Sequence, residues 1–284
     1  MNLDLLFYEP ETVEPPTSSS QVEDALSAEV GMVFGRRQGA YLPFAWCDPA
    51  SRARCTGDIG NPPLEEDTIN PPTAYPGWRA VPLALHLPLA TPHWHCVEAL
   101  GLVARLLDRL PGLQVLNTED TIGANDEPGP GPLDRTGVLA TWEQLHYAQT
   151  ADRSDLHRLD RAASLALWRY RRERHAASER HPELHWPEAT VLLHADRART
   201  AALWADPAAD FALPPVELLV VRRDAETGLL PADELCAAAS GGTPLELSAA
   251  IAIHSSPAVR ALHAGSRLLN ATRVRMLADG DWSD

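Results

Sequence analysis

Residues 81–117 constrain the fold more than any other part of this chain. Val81, Leu83, Leu85, Leu87 and Leu89 alternate with Pro82, Ala84, His86 and Pro88, the period-two pattern of a strand with one buried face. The period then changes. Cys96, Leu100, Val103, Leu107 and Leu110 recur at helical spacing until Pro111-Gly112 stops the run, and Leu113 to Asn117 reads as a second strand. Strand, helix and strand in this order predict a βαβ unit with parallel strands and a right-handed crossover.

The flanking sequence fits mixed elements. Leu3, Leu5 and Phe7 alternate as a strand, and Ser20-Gln21-Val22-Glu23 matches a capping box opening a helix near 20–30. Met32–Phe34 and Ala40–Cys47 read as a hairpin turning near Gly39, with Pro43 confining its second strand to a sheet edge. Residues 48–79, with Asn61-Pro62-Pro63 and Asn70-Pro71-Pro72, read as a structured surface loop. Helices are predicted over 137–149 and 152–179, ended by Pro182 and Pro187; strands over 190–193, 217–221 and 245–253; helices over 231–239 and within 257–277. The expected class is α+β (mixed α/β), two α+β halves around a helical middle: 1–150 with the βαβ unit, a long connecting helix and linker over 151–187, and 188–284. The element order from Leu3 to Phe34 echoes that from Glu217 to Ile253, which suggests a duplication.

Composition narrows the chemistry. The chain holds no lysine among its 24 basic residues, which removes Walker-A phosphate binding, Schiff-base catalysis and kinase-type phosphoryl transfer. With abundant Ala, Pro, Leu and Asp, that bias points to a GC-rich bacterial genome. A formal net charge of -15 argues against nucleic-acid binding and suits a soluble protein or one that attracts a basic partner. The amino-terminal segment lacks a signal peptide's basic flank and apolar run, and no stretch approaches the roughly 20 apolar residues that span a bilayer, so the expectation is cytoplasmic with no membrane contact. Cys47, Cys55, Cys96 and Cys236 lack metal spacing and suit reduced thiols, with a Cys47–Cys55 bridge left open.

Ala90-Thr91-Pro92-His93-Trp94-His95-Cys96-Val97-Glu98 is the most chemically suggestive segment. Thr91 and Pro92 suit N-cap and N1 positions, and on a helix His93 and His95 are turned about 200° apart, so they do not share a metal. In that register Cys96 faces the core and His95 lies with Glu98, Leu102 and Arg105. No metal and no cofactor are expected. The βαβ topology does bring His93 and His95 towards Asn117, Glu119 and Asp120 at the carboxyl ends of the two strands, a candidate binding crevice. Arg169, Arg171, Arg172 and Arg174 form the one basic cluster, a candidate contact on the 152–179 helix. His181 and His185 are spaced by four residues but flanked by prolines, and no G-x-G-x-x-G or G-x-S-x-G is present.

These features favour a non-enzymatic, acidic, intracellular protein that binds another protein. A basic toxin or enzyme is the expected partner, with an inhibitor or immunity factor as the form of the role. A small hydrolase, metal-assisted or not, using His93, His95, Glu119 and Asp120 is the second reading. An adaptor in a larger assembly is the third.

Overall fold

The computed structural model describes residues 1–60, 75–119, 129–223, 226–245, 250–269, 274–278 and 281–284. The chain is a mixed α+β protein that divides into two compact units, Met1–Arg153 and Ser154–Asp284.

In chain order the first unit contains β1 (Asn2–Pro10), α1 (Ser19–Ser27), β2 (Met32–Phe34), β3 (Leu42–Cys47), β4 (Arg54–Ile59), β5 (Trp78–Pro88), α2 (Trp94–Arg109), β6 (Gln114–Asn117) and α3 (Arg135–Thr150). Its six strands form one sheet in the order β2-β3-β4-β5-β1-β6. The strand–helix–strand unit is present, and β5 and β6 run parallel because each pairs antiparallel with β1. They are not neighbours, however: β1 lies between them, with Leu5 opposite both Leu85 and Asn117. Leu3, Leu5 and Phe7 give β1 a fully apolar face that completes the leucine face of β5 in register.

α1 and α2 pack on this apolar face. Val22 and Leu26 of α1 and Ala99, Leu100, Val103 and Leu106 of α2 are buried there with Trp46 and Phe44. The helices are also tied by charge. Glu29, just after α1, accepts from Arg105 Nε at 2.9 Å and from Arg109, one helical turn further along α2. Burial works against the Glu29 charge, but the two guanidinium hydrogen bonds outweigh it and hold the carboxyl below its usual range.

Three local expectations change. The capping box of α1 is formed by Ser18 and Gln21, two residues earlier than the Ser20–Glu23 pair, so the helix starts at Ser19. Pro43 lies in an interior strand, not at an edge. Its carbonyl accepts from Gly35 just beyond the end of β2, so its missing N–H falls where the neighbouring strand has stopped; Pro82 uses the same device, its carbonyl accepting from Gly60 beyond β4. Cys47 and Cys55 are not disulfide-bonded; they lie on adjacent strands one register step apart, Cys47 pairing with Arg54 and Cys55 with Trp46. One step of offset sends the side chains to opposite faces of the sheet, Cys55 inward and Cys47 outward, and no bridge can form.

The second unit contains β7 (His157–Arg158), α4 (Arg161–Arg180), β8 (Ala189–His194), β9 (Arg197–Trp204), β10 (Phe211–Leu213), β11 (Leu218–Arg223), β12 (Glu226–Pro231), α5 (Ala232–Ala238), β13 (Thr243–Pro244), β14 (Ile251–Ile253), α6 (Pro257–Gly265), β15 (Arg275–Leu277) and β16 (Trp282–Ser283). A five-stranded sheet runs β12-β11-β9-β8-β15, a three-stranded one β10-β14-β13, and β7 pairs with β16. Trp204, Phe211, Leu219, Leu230, Leu235, Ile253 and Val259 form the core that α5 and α6 cover. The helix expected from residue 152 starts only at Arg161, because His157 and Arg158 are taken into a strand pair and Asp160 caps the helix with its carboxylate. Within 257–277 the helix ends at Gly265, and residues 275–277 form a strand on β8. The echo between the halves is absent from the topology. β1 leads directly to α1, whereas β11 turns back through a hairpin with β12 before α5.

Candidate functional site

The residues singled out around His93 occupy different surroundings from those the helical pattern implies. α2 begins at Trp94, with His93 at the cap position and no side-chain cap; the Thr91 hydroxyl instead donates back to the Pro88 carbonyl at 2.9 Å. Trp94, His95 and Cys96 are all buried although they point in three directions. α3 explains this. It packs against α2, the Trp142 indole N–H donates to the Pro88 carbonyl, and His146 Nδ1 lies 2.5 Å from the Leu89 carbonyl oxygen, so the first turn of α2 is enclosed on the side that a two-layer pattern leaves open.

The strand-end crevice is divided by the sheet order. His95 Nδ1 accepts from the Arg54 amide on β4 at 3.3 Å, while Asn117 ends β6, three strand positions away at about 4.8 Å per step. Asn117 is buried and its Oδ1 accepts from the Glu119 amide at 3.2 Å; Glu119 itself is exposed. Asp120 lies outside the described residues. Among the described residues no group of three His, Cys, Asp or Glu side chains is placed to hold a metal.

The arginine cluster splits by helical phase. Arg171 is buried and donates from Nε to the Ala189 carbonyl, and Arg174 reaches the Pro187 carbonyl, so both fasten α4 to the segment that enters β8, beside the Tyr170 hydroxyl on Pro187. Arg169 and Arg172 are on the outside, Arg172 over the Trp168 ring.

The polar constellation that the fold does assemble lies on the other face of the first sheet. Register aligns Val33, Ala45, Thr56, His86 and Asp4 in one row across β2, β3, β4, β5 and β1. This row lies on the face opposite α1 and α2, exposed at Val33, Ala45 and Thr56 and half-buried at His86 and Asp4. Within it His86 donates from Nδ1 to Asp4 at 2.8 Å and from Nε2 to Asp58 at 2.9 Å, and Asp58 in turn accepts from the Tyr41 hydroxyl at 2.7 Å. The chain Tyr41–Asp58–His86–Asp4 thus links β3's approach, β4, β5 and β1.

Its electrostatics limit its chemistry. The hydrogen bond to Asp4 raises the His86 pKa to about 9, burial opposes this, and Asp58 adds to it. The other Asp58 oxygen, Oδ1, accepts from Tyr41 and, with burial and the carboxylate charge behind it, pushes the Tyr41 hydroxyl up to about 12. At neutral pH His86 is an imidazolium between two carboxylates, with both ring nitrogens donating. It has no lone pair with which to act as a general base, and the three groups carry one net negative charge. The Asp4 side chain, 44% exposed, is left to meet solvent or a partner's donor.

No local signal marks this site. His86 sits in the polar phase of the leucine strand, and its two carboxylates come from 82 and 28 residues away. Only the strand order brings them together.

No family model, no curated protein and no solved structure matches the chain. What the fold defines is the class, a two-unit α+β protein whose first unit is an antiparallel sheet with α1 and α2 packed on one face. No helix among the described residues is long and apolar enough to cross a membrane.

Proposed function

We propose that this protein binds a basic partner protein through the face of its first sheet opposite α1 and α2, and that neutralising a toxin, as an immunity factor does, is the form the role takes. The supporting observation is where the charge lies. The first unit carries 21 acidic and 9 basic residues, a net of -12, against 18 and 15, a net of -3, in the second. A row of five exposed or half-exposed positions crosses the sheet of that acidic unit, with the Asp4–His86–Asp58 group holding its strands in place. Long-range attraction steers a cationic partner to such a surface, and flat exposed contact area then holds it.

Charge dominates this reading, so its test is a charge reversal on the face. The full chain is co-expressed with the products of its neighbouring genes and captured at low and high salt. A retained basic protein whose association rate falls with salt, and which Thr56→Arg displaces, is the expected result. Thr56 is exposed, so the substitution leaves the fold intact. A complex insensitive to both salt and Thr56→Arg removes this face from consideration.

A further inference from the structure

Asp210 and His254 are set opposite one another by register in the second unit. β10 begins one residue after Asp210, β14 ends one residue before His254, and Phe211 pairs with Ile253. His254 donates from Nδ1 to Asp210 Oδ2 at 2.9 Å, and Asp210 Oδ1 accepts from the Ser255 amide at 2.8 Å. Those two bonds, His254 first, hold the Asp210 carboxyl below its usual range. With Nδ1 engaged, the ring orientation is fixed and Nε2 is the atom left to meet a ligand.

His254 borders an open cleft of about 610 Å³, within the range of small-molecule sites. One wall runs from Ala238, the last residue of α5, to Thr243, and the other from His254 to Ala258. Among the described residues the lining supplies hydroxyls and an imidazole and contains no carboxylate. Ser256 accepts from the Val259 amide and so keeps its own proton to donate. Ser255 is directed elsewhere: its hydroxyl donates to the Pro207 carbonyl at 2.9 Å and accepts from Arg260 at 3.0 Å. The residue types of a hydrolytic triad are therefore present without the geometry of one, because among the described residues no hydroxyl is hydrogen-bonded to His254. The arrangement is suited to holding a ligand.

We infer that this cleft binds a small oxyanion, a phosphate or carboxylate group hydrogen-bonded to His254 Nε2, with Asp210 as the acceptor behind the ring at Nδ1 and the hydroxyls of Ser240, Thr243 and Ser256 around the oxygens. Asp210 is engaged by His254 Nδ1 and the Ser255 amide and is not among the residues that line the cleft, so it orients the imidazole.

The full chain, labelled with ¹⁵N at histidine, is titrated with inorganic phosphate at ionic strength held constant with chloride. A saturable shift of the His254 Nε2 signal is expected, lost in His254→Gln, weakened roughly tenfold in Asp210→Asn, and competed by acetate. Both side chains are exposed, and thermal unfolding of each variant alongside the parent establishes that the fold is kept. A shift that chloride alone reproduces, or phosphate binding that persists unchanged in His254→Gln, overturns the inference. The result is independent of partner binding by the first unit.

Discussion

His86 donates both of its ring protons, and that fixes how its charge couples to folding. Its pKa is raised from 6.5 to about 9 in the folded chain, so its contribution to stability is complete below pH 6.5 and is lost as the pH rises through about 9. With half-exposed Asp4 screened by solvent, that contribution is on the order of 1–2 kcal/mol. Urea unfolding of the parent and of His86→Gln should show a gap of this size at pH 6 that closes towards pH 10; a gap independent of pH contradicts an imidazolium between carboxylates. The cysteines give a second test at this scale. Burial pushes the Cys55 thiol up to about 12 and Cys96 higher still, with Glu143 and Cys55 adding to the latter. A thiol reagent should modify exposed Cys47 rapidly and Cys236 slowly in the native protein, and reach Cys55 and Cys96 only on unfolding. Oxidation of native protein to a Cys47–Cys55 bridge would contradict their placement on opposite faces.

Individual elements end where backbone donors find partners, and this accounts for the shifts of a few residues from the sequence pattern. α1 starts at the serine whose hydroxyl accepts from the Gln21 amide, and the Gln21 side chain accepts from the Ser18 amide in return. Ser18→Ala should therefore cost about 1 kcal/mol in unfolding experiments while Ser20→Ala, inside the first turn, is close to neutral. Equal effects would place the cap elsewhere. α2 and α3 make the same point at larger size. The stripe from Cys96 to Leu110 showed that α2 exists and that Cys96 faces inward, but the burial of His95 depends on β4 and on α3, neither of which is written in the helix itself. The α4 arginines are a further case, since four basic residues in six positions lie on more than one side of a helix and only two of them remain outside.

For the whole molecule, the -15 charge is unevenly divided, and that division gives the third kind of test. If the first unit carries the partner face, salt should slow association far more than it speeds dissociation, and charge reversals in the first unit should change the on-rate more than equal reversals in the second. Rapid-mixing kinetics of the captured complex measure both. A salt effect confined to dissociation would move the contact away from the acidic unit.

By itself the sequence determined the α+β class, the strand β1, the apolar face of β5 and its helix, the absence of lysine chemistry and the overall negative charge, because each of these is set by residues close together in the chain. It did not show β4, which lies in the 48–79 stretch read as a loop, or β7, which lies in the stretch read as helix. The tertiary structure alone decided that β1 separates β5 from β6, that His95 turns to β4 while Asn117 lies three strands away, and that Asp4, Asp58 and His86 meet on one face. Strand order is a choice among distant partners with similar apolar alternation, and nothing local distinguishes them. The Asp210–His254 pair is hidden for the same reason, since 44 residues separate two side chains that one antiparallel ladder places together.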